Sequence, residues 1–190
     1  MQLQDYELYQ SLYQQEISSQ VLNKAKNIKL LICDVDGVFS DGRIYLGNDG
    51  EELKAFHTRD GYGIKEIQQH GIAVAIITGR KSAIVEQRMR SLNVQHIYQG
   101  QEDKIIAYKQ LLTDLELSDD QVAYIGDDLG DQPVMQLVGL SVAVNDAHPL
   151  LVNQSDFITS LPGGFGAVRE LCDMLLIAQQ RFNQTVTSST

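Results

Sequence analysis

Cysteine and positive charge are scarce in this 190-residue chain, and it contains no long hydrophobic run. Its two cysteines, Cys33 and Cys172, lie far apart in apolar surroundings. That excludes a disulfide-dense secreted scaffold and suits buried free thiols in a reducing compartment. With 15 basic residues against 25 acidic ones the formal charge is -10, so affinity built on neutralising nucleic-acid phosphates is excluded and no nucleic-acid partner is expected. An anionic ligand has to be met locally, by a metal ion, by helix N-termini or by a few placed cations. Residues 1–27 are rich in Gln and Tyr and hold no stretch apolar enough for a signal peptide or a membrane span, so a cytoplasmic protein without a membrane partner is expected. No Pro- or Ser-rich linker, long single-sign charge run or internal repeat divides the chain. Its length suits a single core.

What is present is an alternation. Short apolar runs at Ile28–Cys33, Ile72–Ile77, His96–Tyr98, Val122–Ile125, Leu140–Val144 and Phe157–Ile158 are each followed by a stretch with helical spacing. This pattern predicts an α/β fold, a Rossmann-like parallel sheet with helices on both faces and ligands at the carboxyl ends of the strands. Arg43–Leu46 and Glu52–Phe56 flank Gly47-Asn48-Asp49-Gly50 and break the alternation, predicting a β-hairpin inserted after the first strand. Leu8, Leu12, Ile17, Val21 and Leu22 recur at helical spacing and predict an amphipathic helix over Asp5–Lys26. The expected layout is a helical extension over residues 1–27, one catalytic domain over 28–180 with its hairpin insert at about 41–57, and a flexible polar tail over 181–190.

The chemistry collects at strand ends. The run Leu30-Leu31-Ile32-Cys33 delivers Asp34 and Asp36 to the end of a buried strand. One Asp there could cap the next turn, but two at this spacing more often share a cation or a proton, because both are costly to desolvate alone. Asp127, Asp128 and Asp131 follow the run Val122–Ile125. A parallel sheet brings both acidic groups to one edge, where a hard-oxygen site suits Mg2+; at least one of the later three could equally favour a helix start. Thr78, Gly79 and Arg80 end another strand, offering phosphate a hydroxyl and free N–H groups, although Thr78 alone reads as an ordinary helix cap. Lys104 opens the helix after the next strand, and a lone Lys there could simply be solvated.

The order of these features is more specific than any one of them. Asp-x-Asp, then Thr, then Lys, then Gly126-Asp127-Asp128 with Asp131 resembles the four motifs of the haloacid dehalogenase-like phosphatases. The resemblance runs from Lys29 to about Gln179, carried by Cys33–Asp41, Gly50–Gly63, Ala75–Lys81, Tyr124–Asp131 and Gly139–Leu151. Signalling receivers use similar residues but place the Lys last. Within the superfamily the resemblance is closest to phosphatases of 3-deoxy-D-manno-octulosonate 8-phosphate, which serve lipopolysaccharide core synthesis. Phosphatases of other sugar acids, such as a sialic acid 9-phosphate, share the motifs, and an idle structural relative is the remaining alternative.

The resemblance implies that Asp34 is the nucleophile and becomes an aspartyl-phosphate, and that Asp36 is acid and base. It implies Mg2+ on the Asp34 carboxylate, the Asp36 backbone carbonyl and Asp127, with Thr78 and Lys104 on the phosphoryl oxygens and Asp128 and Asp131 orienting their neighbours. His57, Thr58, Arg59, Asp60, Gly61, Lys65, Gly79, Arg80, Arg88 and Lys104 are implied about the substrate, a small phosphorylated sugar acid; His57 could instead be a surface residue of the hairpin. No large cap domain fits between Asp36 and Thr78, and the family's homotetramer implies that hairpins associate to close the site. Ile44, Leu46, Leu53 and Phe56 suit that association or packing within the subunit. One departure stands out: Phe165 follows Gly163-Gly164 where the family commonly has Arg.

Overall fold

The computed structural model describes Ser11 and residues 17–182. Six strands form one parallel sheet in the order β5-β4-β1-β6-β7-β8. They are β1 (Leu30–Cys33), β4 (Ala73–Thr78), β5 (His96–Gln99), β6 (Val122–Gly126), β7 (Leu140–Ala143) and β8 (Phe157–Ile158). Between β1 and β4 lie the hairpin strands β2 (Tyr45–Leu46) and β3 (Glu52–Leu53). The sheet and its helices bear out the α/β expectation, and each apolar run became a strand within a residue or two of its ends.

The side-chain period of two sorts β1 onto both faces of the sheet. Leu31 and Cys33 join a core with α1 (Ser19–Ala25), α2 (Thr58–Gln69), α3 (Ala83–Ser91) and α7 (Ala167–Ala178). Leu30 and Ile32 join a second core with α4 (Lys104–Leu115), α5 (Gln132–Met135) and α6 (Pro149–Gln154). Burial on both faces explains why β1 and β6 read as unbroken apolar runs.

Two readings change at the ends of elements. The single N-terminal helix is interrupted: Ile17 is buried outside any helix, and Ser18 caps α1 by accepting from the Val21 N–H at 3.3 Å. Ser competes for local backbone donors, so it starts a helix more readily than it continues one. Leu8 and Leu12 fall outside the described residues, as do tail residues 183–190. The hairpin pairs over two residues per strand and no more, because a two-stranded ribbon alone has little to bury. Ile44, Leu46 and Leu53 are exposed, so packing within the subunit accounts only for Phe56, which rests on the core.

Candidate active site

The chain leaves the centre of the sheet in opposite directions on the two sides of β1, and Asp34 stands at that switch point, at the carboxyl end of β1. Asp127 follows β6 on one side, and Thr78 ends β4 on the other. Lys104 is the first residue of α4, whose N-cap Asp103 accepts from the Ile105 N–H at 3.0 Å. Its Nζ lies 2.9 Å from Asp34 Oδ1, at ion-pair distance but without hydrogen-bond alignment, and donates to Asp131 Oδ1 at 2.6 Å.

Asp131 is saturated. Besides Lys104, it accepts from the Tyr124 hydroxyl at 2.6 Å and from the N–H groups of Asp127 and Asp128 at 3.0 and 3.2 Å. It holds the turn carrying Asp127 and the head of Lys104 at once. Gly126 admits it, since a Cβ there would meet the Asp131 side chain at 2.6 Å. Asp128 is exposed and accepts from the Leu129 N–H at 2.8 Å, so it shapes its own turn.

Asp34 and Asp127 are not saturated: Oδ1 of each is buried and receives no hydrogen bond from the described residues, although Lys104 stands at ion-pair distance from that of Asp34. Burial pushes the Asp34 carboxyl up to about 6, with the Asp131 charge adding to the effect and Lys104 opposing it. Burial pushes Asp127 up to about 8, with Asp34 and Asp131 adding to it. Burial alone would lower the Lys104 ammonium, but Asp34 and Asp131 hold it above its ordinary value. One oxygen from each of Asp34, Asp127 and Asp131 lies within 4.8 Å of the others. When ionised, the three carboxylates outnumber the one ammonium by two charges, and the buried oxygens of Asp34 and Asp127 that receive no hydrogen bond fit a divalent cation such as Mg2+.

Asp36 stands apart from this cluster. Its Oδ1 accepts from Lys54 Nζ and from Ser40 Oγ at 3.4 Å, while Arg80 Nε lies 3.8 Å from Oδ2. Arg80 also donates to Glu52 at 3.3 Å. Neither Lys54 nor Glu52 was expected here; the sequence signal was the period of two over Glu52, Lys54 and Phe56, which are half-buried between exposed Glu51, Leu53 and Ala55.

The other expected residues divide. Arg88 lies over Phe56, 6.0 Å from the ring centroid, and Gly61 leaves it room, since a Cβ there would meet the guanidinium at 2.5 Å. Thr58, Arg59 and Lys65 are exposed along α2, and Gly79 follows β4 in open backbone. His57 caps α2, its Nδ1 accepting from the Arg59 N–H at 3.1 Å. Asp60, expected about the substrate, is instead fully buried and accepts from the Arg169 N–H at 2.8 Å, satisfying a free donor at the start of α7. Burial pushes its carboxyl up to about 6. Phe165 is exposed beside Gly163 and Gly164, which lie against the loop after Asp36.

A switch-point Asp, a second strand-end Asp and a buried Lys between them define a haloacid dehalogenase-like hydrolase, and the family model of that description matches residues 92–163. The 3-deoxy-D-manno-octulosonate 8-phosphate phosphatase KdsC of Salmonella typhi is 58% identical over 168 residues, 88% of this chain and 89% of that protein. The crystal structure of the Yersinia pestis 3-deoxy-D-manno-octulosonate 8-phosphate phosphatase is 57% identical, with a TM-score of 0.87 over 87% of this chain and 90% of that one. The Moraxella catarrhalis enzyme, solved in complex with magnesium, phosphate and KDO, is 42% identical, with a TM-score of 0.88 over 90% of this chain and 98% of that one. The chain belongs to the 3-deoxy-D-manno-octulosonate 8-phosphate phosphatase family. No helix among the described residues is long and apolar enough to cross a membrane.

Proposed function

We propose that this chain hydrolyses 3-deoxy-D-manno-octulosonate 8-phosphate to the free sugar acid and phosphate, through an aspartyl-phosphate on Asp34. The observation that carries the reading is the pair of buried carboxylate oxygens on Asp34 and Asp127 that receive no hydrogen bond, beside Lys104 at the switch point of a family member. Asp34, Asp127 and the main-chain carbonyl of Asp36 would hold Mg2+. When bound, that ion offsets the repulsion between the nucleophilic carboxylate and the anionic phosphoryl group.

Asp34 attacks phosphorus, and Asp36 gives its proton to the departing sugar oxygen. Water then attacks the aspartyl-phosphate, Asp36 takes its proton, and Asp34 and phosphate are released. Thr78, Gly79 and Lys104 hold phosphoryl oxygens, and Asp131 keeps Lys104 and the Asp127 turn in place. Arg80 and Arg88 receive the substrate's phosphate and carboxylate, with Arg59, Lys65 and Thr58 on the same side. His57, Asp60 and Gly61 act through the backbone they shape. The enzyme works as a cytoplasmic homotetramer, and the exposed Ile44, Leu46 and Leu53 of the hairpin support association through that element.

The test is phosphate release from 3-deoxy-D-manno-octulosonate 8-phosphate and a panel of sugar phosphates, including sialic acid 9-phosphate, with Mg2+, with chelator and with Asp34→Asn. Selective release that needs the metal and Asp34 is expected. Equal release across the panel would refute the substrate, and no release by folded, metal-loaded protein would refute the activity.

A further inference from the structure

Lys54 is an enclosed cation. Its side chain is 1% exposed, its Nζ donates to Asp36 Oδ1, and Glu52 Oε1 lies 3.8 Å away. Ser40 Oγ donates to the same Asp36 oxygen, whereas among the described residues Oδ2 has only Arg80 Nε at 3.8 Å, beyond hydrogen-bond reach. The Arg80 side chain is 45% exposed. The two cations at Asp36 therefore differ in freedom. Arg80 can turn to an incoming anion at little cost, but Lys54 has no solvent to turn to, and letting go would leave a buried charge unpaired.

We propose that Lys54 is a positioning residue for the reaction: it pins Asp36 Oδ1 so that Oδ2 is the oxygen presented to the leaving group, tying the hairpin to the acid. This rests on the reading of Asp36 as acid and base given above. In the first step the Asp34 carboxylate bonds to phosphorus, the bond from phosphorus to the sugar oxygen breaks, the electron pair stays on that oxygen, and the proton carried on Oδ2 moves to it. In the second step water attacks phosphorus, its proton returns to Oδ2, and the Asp34 carboxylate leaves. A freely rotating carboxyl presents either oxygen or neither, and orientation of a proton donor is a large part of its effect.

The experiment measures first-turnover release of the leaving group by the full chain with Mg2+, comparing the sugar acid 8-phosphate with p-nitrophenyl phosphate, whose leaving group departs without a proton. In Lys54→Met the sugar release is expected to slow about a hundredfold while half-saturation shifts by less than about threefold, and p-nitrophenolate release to slow by less than about tenfold. Lys54→Arg should recover about tenfold of the loss, and Lys54→Met added to Asp36→Asn should cost nothing further. Equal slowing on both substrates, weaker saturation with an unchanged rate, or additive losses with Asp36→Asn would overturn the proposal. Lys54→Gln carries the same comparison if the Met variant does not fold, and loss of the fold in both would assign Lys54 to stability and overturn it too. If the wild type cleaves other alkyl phosphates but not this sugar acid, only the substrate reading fails, and the comparison is made on the alkyl phosphate it does cleave. If Asp36→Asn itself slows both leaving groups equally, Asp36 is not the acid and the proposal falls with it.

Discussion

Gly37 and Asp127 occupy one space: a Cβ on Gly37 would lie 2.1 Å from Asp127 Oδ2. The glycine also sits at φ 95°, where L side chains are strained. Gly37→Ala is therefore expected to displace the Asp127 carboxylate and lower kcat about a hundredfold, with strain of about 1–3 kcal/mol. Steady-state kinetics beside thermal unfolding would check this, and an unchanged kcat would count against a role for Asp127.

Lys104 neutralises two buried carboxylates, Asp34 and Asp131. Lys104→Met should abolish activity and cost about 3–5 kcal/mol in urea unfolding, because Asp34 and Asp131 lose their shared cation and must stay unpaired or take up a proton. Adding Asp34→Asn should restore much of that stability without restoring activity. A double variant no more stable than the single one would show that the pair is not the source of the cost.

The metal-free chain should weaken as pH rises. Asp34 and Asp60 in the fold take protons up to about pH 6 and Asp127 up to about pH 8, all above the ordinary 3.8. Between about pH 4 and pH 8 the folded chain thus binds more protons than the unfolded one, and stability falls across that window. Saturating Mg2+ should remove the part due to Asp34 and Asp127 and leave the smaller Asp60 contribution below about pH 6. Thermal unfolding at pH 5 and pH 8, with chelator and with Mg2+, checks the sign; a chelated protein more stable at pH 8 would contradict it.

Leu53 is 65% exposed and pairs with Tyr45, so Leu53→Asp removes little packing within the subunit. It should leave the fold intact while shifting sedimentation from tetramer to smaller species and reducing activity. An unchanged sedimentation coefficient would take the hairpin out of the assembly.

What could be read in the sequence was whatever local pattern encodes. The runs that became β1, β4 and β6 are apolar because both faces of those strands are covered, and Asp34, Thr78 and Asp127 are legible because each ends such a run. Strand order is not written locally, nor is the fate of a side chain that meets a distant element. Asp60 looks like any acid at a helix start until α7 arrives to cover it. Lys54 looks like an ordinary hairpin lysine, and only the fold-back of β3 brings it to Asp36, 18 positions earlier. Ile17 fits a helical stripe, yet Ser18 offers the backbone an alternative that ends it.

The loop at Gly163 and Gly164 lies against the turn that follows Asp36: a Cβ on Gly163 would sit 1.6 Å from the Gly37 carbonyl oxygen, and the Gly164 N–H donates to the Val38 carbonyl at 2.8 Å. The first catalytic turn to be translated is thus completed by one of the last. During synthesis the nucleophile leaves the ribosome long before its support does, so a nascent chain is expected to be inactive until nearly the whole domain is out. A fragment ending at Leu161 should carry Asp34, Thr78, Lys104 and Asp127 and still be inactive. Its failure would be one of folding as well as closure, since α7, which fills much of one core, is missing too.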